Sequence, residues 1–390
     1  MNKINRYLTL EVPSPHSTFL WGARKTGKST YLKEQFPKAL YIDLLKTDVF
    51  QRYVNHPYLL REEIIAAPRE TFTNPIILDE VQKIPPLLDE VHWMMENLEG
   101  VQFILCGSSV RKLKQSGSNL LGGRAWRTHF LPLCFPELKM LDWQKIMNRG
   151  LLPSHYLSLH SRKFLSSYVY DYLLPEVHME ANLRSSQGFT RFLDVLGFSQ
   201  GELLNYSNIA RDCAVDAKTV KTYFEILVDM YLGYFLHPFS KKVSRQIIKE
   251  TPKFYLMDTG LSHYLKRYNF VDFKGSEAGK AFEHYIFLEL IAHKMLNDLD
   301  HSLNFWRTKD GVHEVDFVLQ EGQVAIECKI SSPIERRDLK GLVLFGHEYG
   351  AKLHVVSLEP RKRIMRVEEQ EIIIWPVEEF LTNLWAGKFL

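Results

Sequence analysis

The first third of the chain alternates short, nearly continuous apolar runs with segments of helical period. "STFLWG" (17–22), "YIDL" (41–44), "NPIILDEVQKIP" (74–85) and "VQFILCGSS" (101–109) each open on a run of strand length. Unbroken apolar strands are the pattern of a parallel sheet covered on both faces. "STYLKEQF" (29–36) reads as the helix after the first strand. From Glu202 onward the pattern changes. Ile209 and Ala210 sit in a short helix, and "CAVDAK" is a turn with Asp216 placed to cap a second helix. That second helix puts Val220, Tyr223, Phe224, Leu227 and Val228 on one face. "GYFLHPF" and "PKFYLMD" then read as two strands around a basic loop. Helix-turn-helix plus hairpin is the pattern of a winged helix. Residues 274–296 form a strongly helical segment with Phe282, Ile286 and Leu290 on its apolar stripe. The following "LNFWRTKDGVHEVDFVLQEGQVAIECKISS" predicts a three-stranded meander turned at Asp310-Gly311 and Glu321-Gly322.

Length and composition bound this picture. A chain of 390 residues exceeds one ordinary core and is expected to hold two to three domains. Hydrophobic content of 45% with 24% charged residues is that of a soluble globular protein. The net charge is only +3, so contact with nucleic acid must come from local basic patches. No apolar run approaches the roughly 20 residues of a membrane span, and the first twenty residues lack a signal-peptide core. Cys106, Cys134, Cys213 and Cys328 are scattered, with no C-x-x-C pair. That argues against a disulfide framework or zinc site and for a reducing cytoplasm.

The strongest chemical signal is "WGARKTGKST" (21–30). Gly22 to Ser29 fits G-x-x-x-x-G-K-[ST] in full, between a strand and a helix as the motif requires. Gly22, Ala23, Arg24, Lys25, Thr26, Gly27, Lys28, Ser29 and Thr30 are thus the expected ATP loop. The glycines let backbone N–H groups face the phosphates, Lys28 reaches the β- and γ-phosphates, and Ser29 ligates Mg²⁺ at a helix N-terminus. Asp79-Glu80 end an apolar strand as a Walker B element, with Asp79 holding Mg²⁺ through water and Glu80 polarising the attacking water. Ser108 or Ser109 is expected beside the γ-phosphate as a sensor. Arg124, with Arg127 in reserve, is the candidate to stabilise transition-state charge across a subunit interface.

On these segments, with "GGRA" and "LPLCFPEL" (122–138), the chain resembles the prokaryotic AAA+ ATPases whose C-terminal region is called DUF4143; the resemblance covers nearly the whole chain. The expected fold class is α/β: a P-loop AAA+ parallel-sheet core (1–145), a helical connection (146–190), a winged helix (191–262) and a nuclease-like α/β domain (263–390). In the last part, Glu283 on a helix, Asp316 on a strand and Glu327-x-Lys329 resemble the PD-(D/E)xK nuclease pattern. Carboxylates there hold Mg²⁺ as hard oxygen ligands and the lysine steadies a scissile phosphate. "RKRIMR" (361–366) is a further local basic patch.

Three readings compete. The first is a cytoplasmic, homo-oligomeric DNA motor, a hexameric ring acting on branched DNA through Lys218 and Lys221 of the second helix and Lys241, Lys242 and Arg245 of the wing. The second is an ATP-regulated, Mg²⁺-dependent DNA nuclease. The third is an ATP-dependent switch that binds a protein partner. The first is preferred, with ATP and Mg²⁺ as its cofactors.

Overall fold

The computed structural model describes residues 4–115, 121–180, 187–240 and 251–389. Its contacts divide the chain into two units: 1–133 with 176–182 and 223–232, and the remainder.

In the first unit, β1 (Ser17–Trp21), β2 (Tyr41–Asp43), β3 (Ile76–Asp79), β4 (Phe103–Gly107) and β5 (Ala125–His129) form a five-stranded sheet. Its order is β2-β3-β4-β1-β5, and every pairing is parallel. Every residue of β1, β3 and β4 is buried, which is why their sequences are unbroken apolar runs, whereas β5 is a partly exposed edge. The helix Leu87–Asn97 buries Leu87, Leu88, Val91 and Met94 in the core cluster that holds Ile76, Leu78, Phe103 and Leu105. The carboxyl ends of β1, β3 and β4 lie side by side, with Trp21 opposite Gly107 and Asp79 opposite Cys106. Such an end is where open parallel sheets bind ligands.

The second unit contains the helices Trp143–Arg149, Ser161–Ser167, Tyr206–Cys213 and Thr259–Leu265, and a larger sheet. Its strands are β6 (Gly233–Pro238), β7 (Lys253–Leu256), β8 (Leu303–Arg307), β9 (Glu314–Leu319), β10 (Val324–Lys329), β11 (Lys352–Ser357), β12 (Arg363–Val367) and β13 (Gln370–Pro376). The order is β12-β13-β11-β10-β9-β8-β6-β7. The expected meander is β8-β9-β10, with antiparallel pairing at both steps. The helix Gly275–Leu296 packs against β10, and its Phe287 ring meets Phe317 of β9. The helix Lys340–Tyr349 shares a core cluster with Val315 and Val318 of β9.

The hairpin departs from the winged-helix expectation. β6 and β7 pair antiparallel as expected, but β6 also pairs parallel with β8 through His237–Asn304 and Pro238–Phe305. The hairpin is therefore the edge of the C-terminal sheet, not only a wing on the helix pair. Lys241, Lys242 and Arg245 lie outside the described residues. Among the described residues no helix is long and apolar enough to cross a membrane.

Candidate functional site

The loop between β1 and the helix Lys28–Gln35 wraps the Lys28 ammonium. Its Nζ donates to the carbonyls of Gly22 at 2.6 Å and Ala23 at 2.9 Å. Both glycines are required by geometry. Gly27 has φ 101°, and a Cβ on Gly22 would lie 2.1 Å from the Phe130 carbonyl oxygen. The Thr26 hydroxyl closes the loop onto Ala23 O at 2.8 Å. Arg6, which sequence reasoning does not single out, clamps the loop from outside. Its guanidinium donates to Thr26 O at 2.7 Å and Leu131 O at 2.6 Å and lies over the Phe130 ring. No local motif marks Arg6, because its partners are 20 and 125 positions away.

Ser29 and Asp79, 50 positions apart, meet: Ser29 Oγ donates to Asp79 Oδ2 at 2.7 Å. The Tyr41 hydroxyl donates to the same oxygen at 2.5 Å. Burial, with the Asp79 charge adding to it, holds the Tyr41 phenol far above its usual range and so keeps it a donor. Among the described residues Asp79 Oδ1 is buried without a hydrogen-bond partner. A buried carboxylate oxygen left open beside a hydroxyl fits Mg²⁺, which takes few protein oxygens and completes its shell with phosphate and water. Among the described residues no three His, Cys, Asp or Glu side chains form a metal cage. A Mg–nucleotide does not need one.

Glu80 is turned by a left-handed backbone (φ 62°) into the sheet's carboxyl end. There its Oε2 accepts from Gln82 Nε2 at 2.6 Å and Ser108 Oγ at 3.2 Å. Ser108, the expected sensor, thus lies beside Glu80. Ser109 instead serves the following turn, its Oγ accepting the Arg111 N–H. Gln82 carries no motif signal of its own, although it stands only two residues beyond Glu80.

Arg124, next to the edge strand β5, pairs with Glu96 at 2.6 Å, both residues being half-exposed. Arg127 is exposed on β5 itself, and Arg24 reaches Glu176 at 3.5 Å. Beyond β4, Val110 N–H donates to the Asp229 carbonyl at 3.1 Å. Lys114 and Arg111 pair with the Asp229 carboxylate at 2.6 and 3.3 Å.

In the second unit Glu327 Oε1 accepts from Lys329 at 2.6 Å, while Glu327 Oε2 is buried without a hydrogen-bond partner among the described residues. Asp316 Oδ2 accepts the Cys328 N–H at 2.7 Å. Burial drives the Asp316 carboxyl well above its ordinary value, and the charges of Glu327 and Glu283 push it further. Burial also raises Glu327, with Lys329 opposing. Glu283 accepts from the Tyr255 hydroxyl at 2.5 Å and from Lys253 at 3.3 Å; Lys253 also pairs with Glu314. Burial works against the Lys253 charge, but Glu283, Glu314 and Asp316 outweigh it, so the ammonium is retained well above the usual range. The residues of the acidic pattern are therefore neighbours, and a buried lysine from β7 stands among them. Lys253 escapes sequence reasoning because it lies on the hairpin assigned to the winged helix.

Lys218 and Lys221 are exposed near the start of the helix Ala217–Asp229, whose first turn Asp216 caps by accepting the Thr219 N–H. The "RKRIMR" patch is largely neutralised. Arg363 makes a two-pronged pair with Glu359, Lys362 reaches Glu379, and Arg366 reaches Glu371.

Residues 14–139 match a family model described as an AAA domain, residues 140–271 the domain of unknown function DUF8612, and residues 278–380 the domain of unknown function DUF4143. Uncharacterized proteins of Mycobacterium bovis and Mycobacterium tuberculosis are each 22% identical over 251 residues, 63% of this chain and 56% of theirs. The chain thus spans about half the length of the curated relatives it matches. Among solved structures, a Walker-type ATPase of Pyrococcus abyssi aligns at 16% identity and a TM-score of 0.39, covering 64% of this chain and 90% of that one.

Proposed function

We propose that this chain, in which residues 14–139 match an AAA domain and 278–380 the DUF4143 domain, binds and hydrolyses Mg–ATP and uses the cycle to act on DNA. The observation that carries the hydrolytic reading is the meeting of Ser29 with Asp79 and of Glu80 with Ser108 at the ends of three adjacent strands. Lys28, held by the loop carbonyls, neutralises the terminal phosphates. Ser29 and Asp79 would hold Mg²⁺, which would supply charge neutralisation to the nucleotide's phosphates. Glu80 accepts a proton from the attacking water, and Gln82 and Ser108 hold it in place. Arg124 of a neighbouring copy stabilises the transition state, its exposure on an edge supporting that use. A homo-hexameric ring is the proposed assembly.

DNA as the track is supported by the exposed Lys218 and Lys221 near one end of a helix whose other end, Asp229, is bonded to the segment after β4. The proposed division is an ATPase core to 145, a helical connection to 190, a winged helix to 262 and a C-terminal domain from 263 to 390. Steady-state ATPase assays with single-stranded, duplex and four-way-junction DNA test the reading. Stimulation by one form that is lost in Lys218→Ala/Lys221→Ala supports it, and an ATPase indifferent to every form of DNA rejects the motor.

The open Glu327 Oε2, with Lys329 beside it, motivates a second reading, DNA cleavage at Glu283, Asp316, Glu327 and Lys329, whose carboxylates as placed form no three-ligand metal group among the described residues. Cleavage of the same DNA substrates that disappears in Glu327→Ala supports it; intact substrates throughout reject it.

A further inference from the structure

In the second unit a cavity of about 240 Å³ opens where the helices Trp143–Arg149, Ser161–Ser167 and Thr259–Leu265 pack on one another. Neither the ATPase cycle nor the acidic pattern uses it. Four cations line it: Lys145 and Arg149, one turn apart on the first helix, Arg162 on the second, and Arg267 just past the third. Among the described residues Asp142 is the single carboxylate in its wall, and one of its oxygens is engaged as the cap of the first helix, accepting the Lys145 N–H at 3.0 Å.

These cations are set by their surroundings. The Lys145 ammonium rests 3.8 Å above the Tyr156 ring, and Arg149 donates to the Ser158 carbonyl at 3.1 Å. Asn148 fixes the far wall by bonding both backbone groups of Phe270 at 2.8 Å. Arg267 pairs with Asp194 at 3.1 Å on the open side, and Arg162 has no ion-pair partner among the described residues. Burial and the like charge of Arg149 both hold Lys145 below the usual lysine range, with Asp142 opposing. Like charges gathered around one cavity, with Arg162 and Arg267 open to solvent, favour an anion.

We infer that this cavity is a binding site for a phosphate group, with Lys145, Arg149, Arg162 and Arg267 as its donors. Arginine forks match the paired oxygens of a phosphate, and a lysine adds a point charge. The volume falls below the roughly 300 Å³ at which pockets begin to enclose drug-sized ligands. The site therefore takes a phosphate head and leaves whatever carries it outside. The carrier is either a nucleic-acid strand or free phosphate. The inference does not rest on the DNA reading, since either source satisfies it.

The test uses the full chain carrying Lys28→Ala, so that the ATP loop does not report. Inorganic phosphate is titrated by calorimetry. A labelled single-stranded oligonucleotide, with or without a 5′-phosphate, is titrated by fluorescence anisotropy. We expect Arg162→Ala/Arg267→Ala to weaken phosphate-dependent binding by about tenfold or more, the scale of losing a charged hydrogen bond. Lys163→Ala, on the same helix but outside the cavity, should leave it unchanged, and Arg162→Lys should restore part of it. Binding that requires the 5′-phosphate identifies a strand end, equal loss for both oligonucleotides identifies the backbone diester, and loss confined to inorganic phosphate identifies the free ion. Affinities for all three probes that are the same in parent and double variant, with circular dichroism unchanged, overturn the site. So does the absence of phosphate-dependent binding in the parent.

Discussion

Glu80 occupies a left-handed backbone conformation that a non-glycine residue adopts only when its surroundings impose it, and here two hydrogen bonds receive its carboxylate. Glu80→Gln keeps the shape and removes the proposed base. The expected result is bound ATP with kcat lower by about 10²-fold or more, read in single-turnover and steady-state assays. Gly22→Ala acts differently, because its methyl group would collide with the Phe130 carbonyl. It should abolish nucleotide binding as fully as Lys28→Ala in equilibrium titration. Far from this chemistry, Glu289 is wholly buried, accepts the Phe135 N–H and the Trp385 indole N–H, and is pushed up from 4.5 to about 7, chiefly by burial. Between those values the folded state holds more protons than the unfolded state, so this group's contribution falls as pH rises. Glu289→Gln should therefore gain stability relative to the parent between about pH 5 and 7.5, by at most about 3 kcal/mol. Urea unfolding at the two pH values measures it.

Elements are legible wherever their period is local. The helix Gly275–Leu296, the β8-β9-β10 meander with both its Gly turns, and the helix-turn-helix capped by Asp216 stand where the apolar spacing puts them. What joins elements is not legible. Asp258 ties the end of one helix to the start of another. Its Oδ2 accepts the Leu151 and Leu152 N–H groups and its Oδ1 accepts the Leu261 N–H. Asp258→Ala strands these buried donors at about 1–3 kcal/mol each. We expect a large drop in the unfolding midpoint, with Asp258→Asn intermediate because one amide oxygen remains. The parallel bond from β6 to β8 is hidden for a related reason: β-pairing between segments some 65 positions apart leaves no mark on either.

Assembly hinges on the proposed role of Arg124. An arginine that acts on a neighbour's nucleotide makes turnover depend on association. Arg124→Ala and Glu80→Gln should each be nearly inactive alone, yet mixtures should recover measurable ATPase, since a site can then draw its glutamate from one copy and its arginine from another. Specific activity should also rise with protein concentration. Recovery by Arg127→Ala in place of Arg124→Ala would reassign the arginine, and no recovery from either mixture would place catalysis within one chain.

The sequence by itself determined the glycine-bounded loop 22–30 between a strand and a helix, the acidic end of β3 and the α/β class. These depend on contiguous residues whose backbone freedom, charge or burial is written in their own spacing. Only the tertiary structure decided that Tyr41 and Ser29 share one oxygen of Asp79, that Gln82 and Ser108 converge on Glu80, and that Arg6 clamps the loop. The same holds for Lys253 among the acidic residues and for the four cations gathered around one cavity. Each of these arises when strands and helices distant in the chain are packed together. Hydrogen bonds and charges act over a few ångströms of space, whatever the separation along the chain.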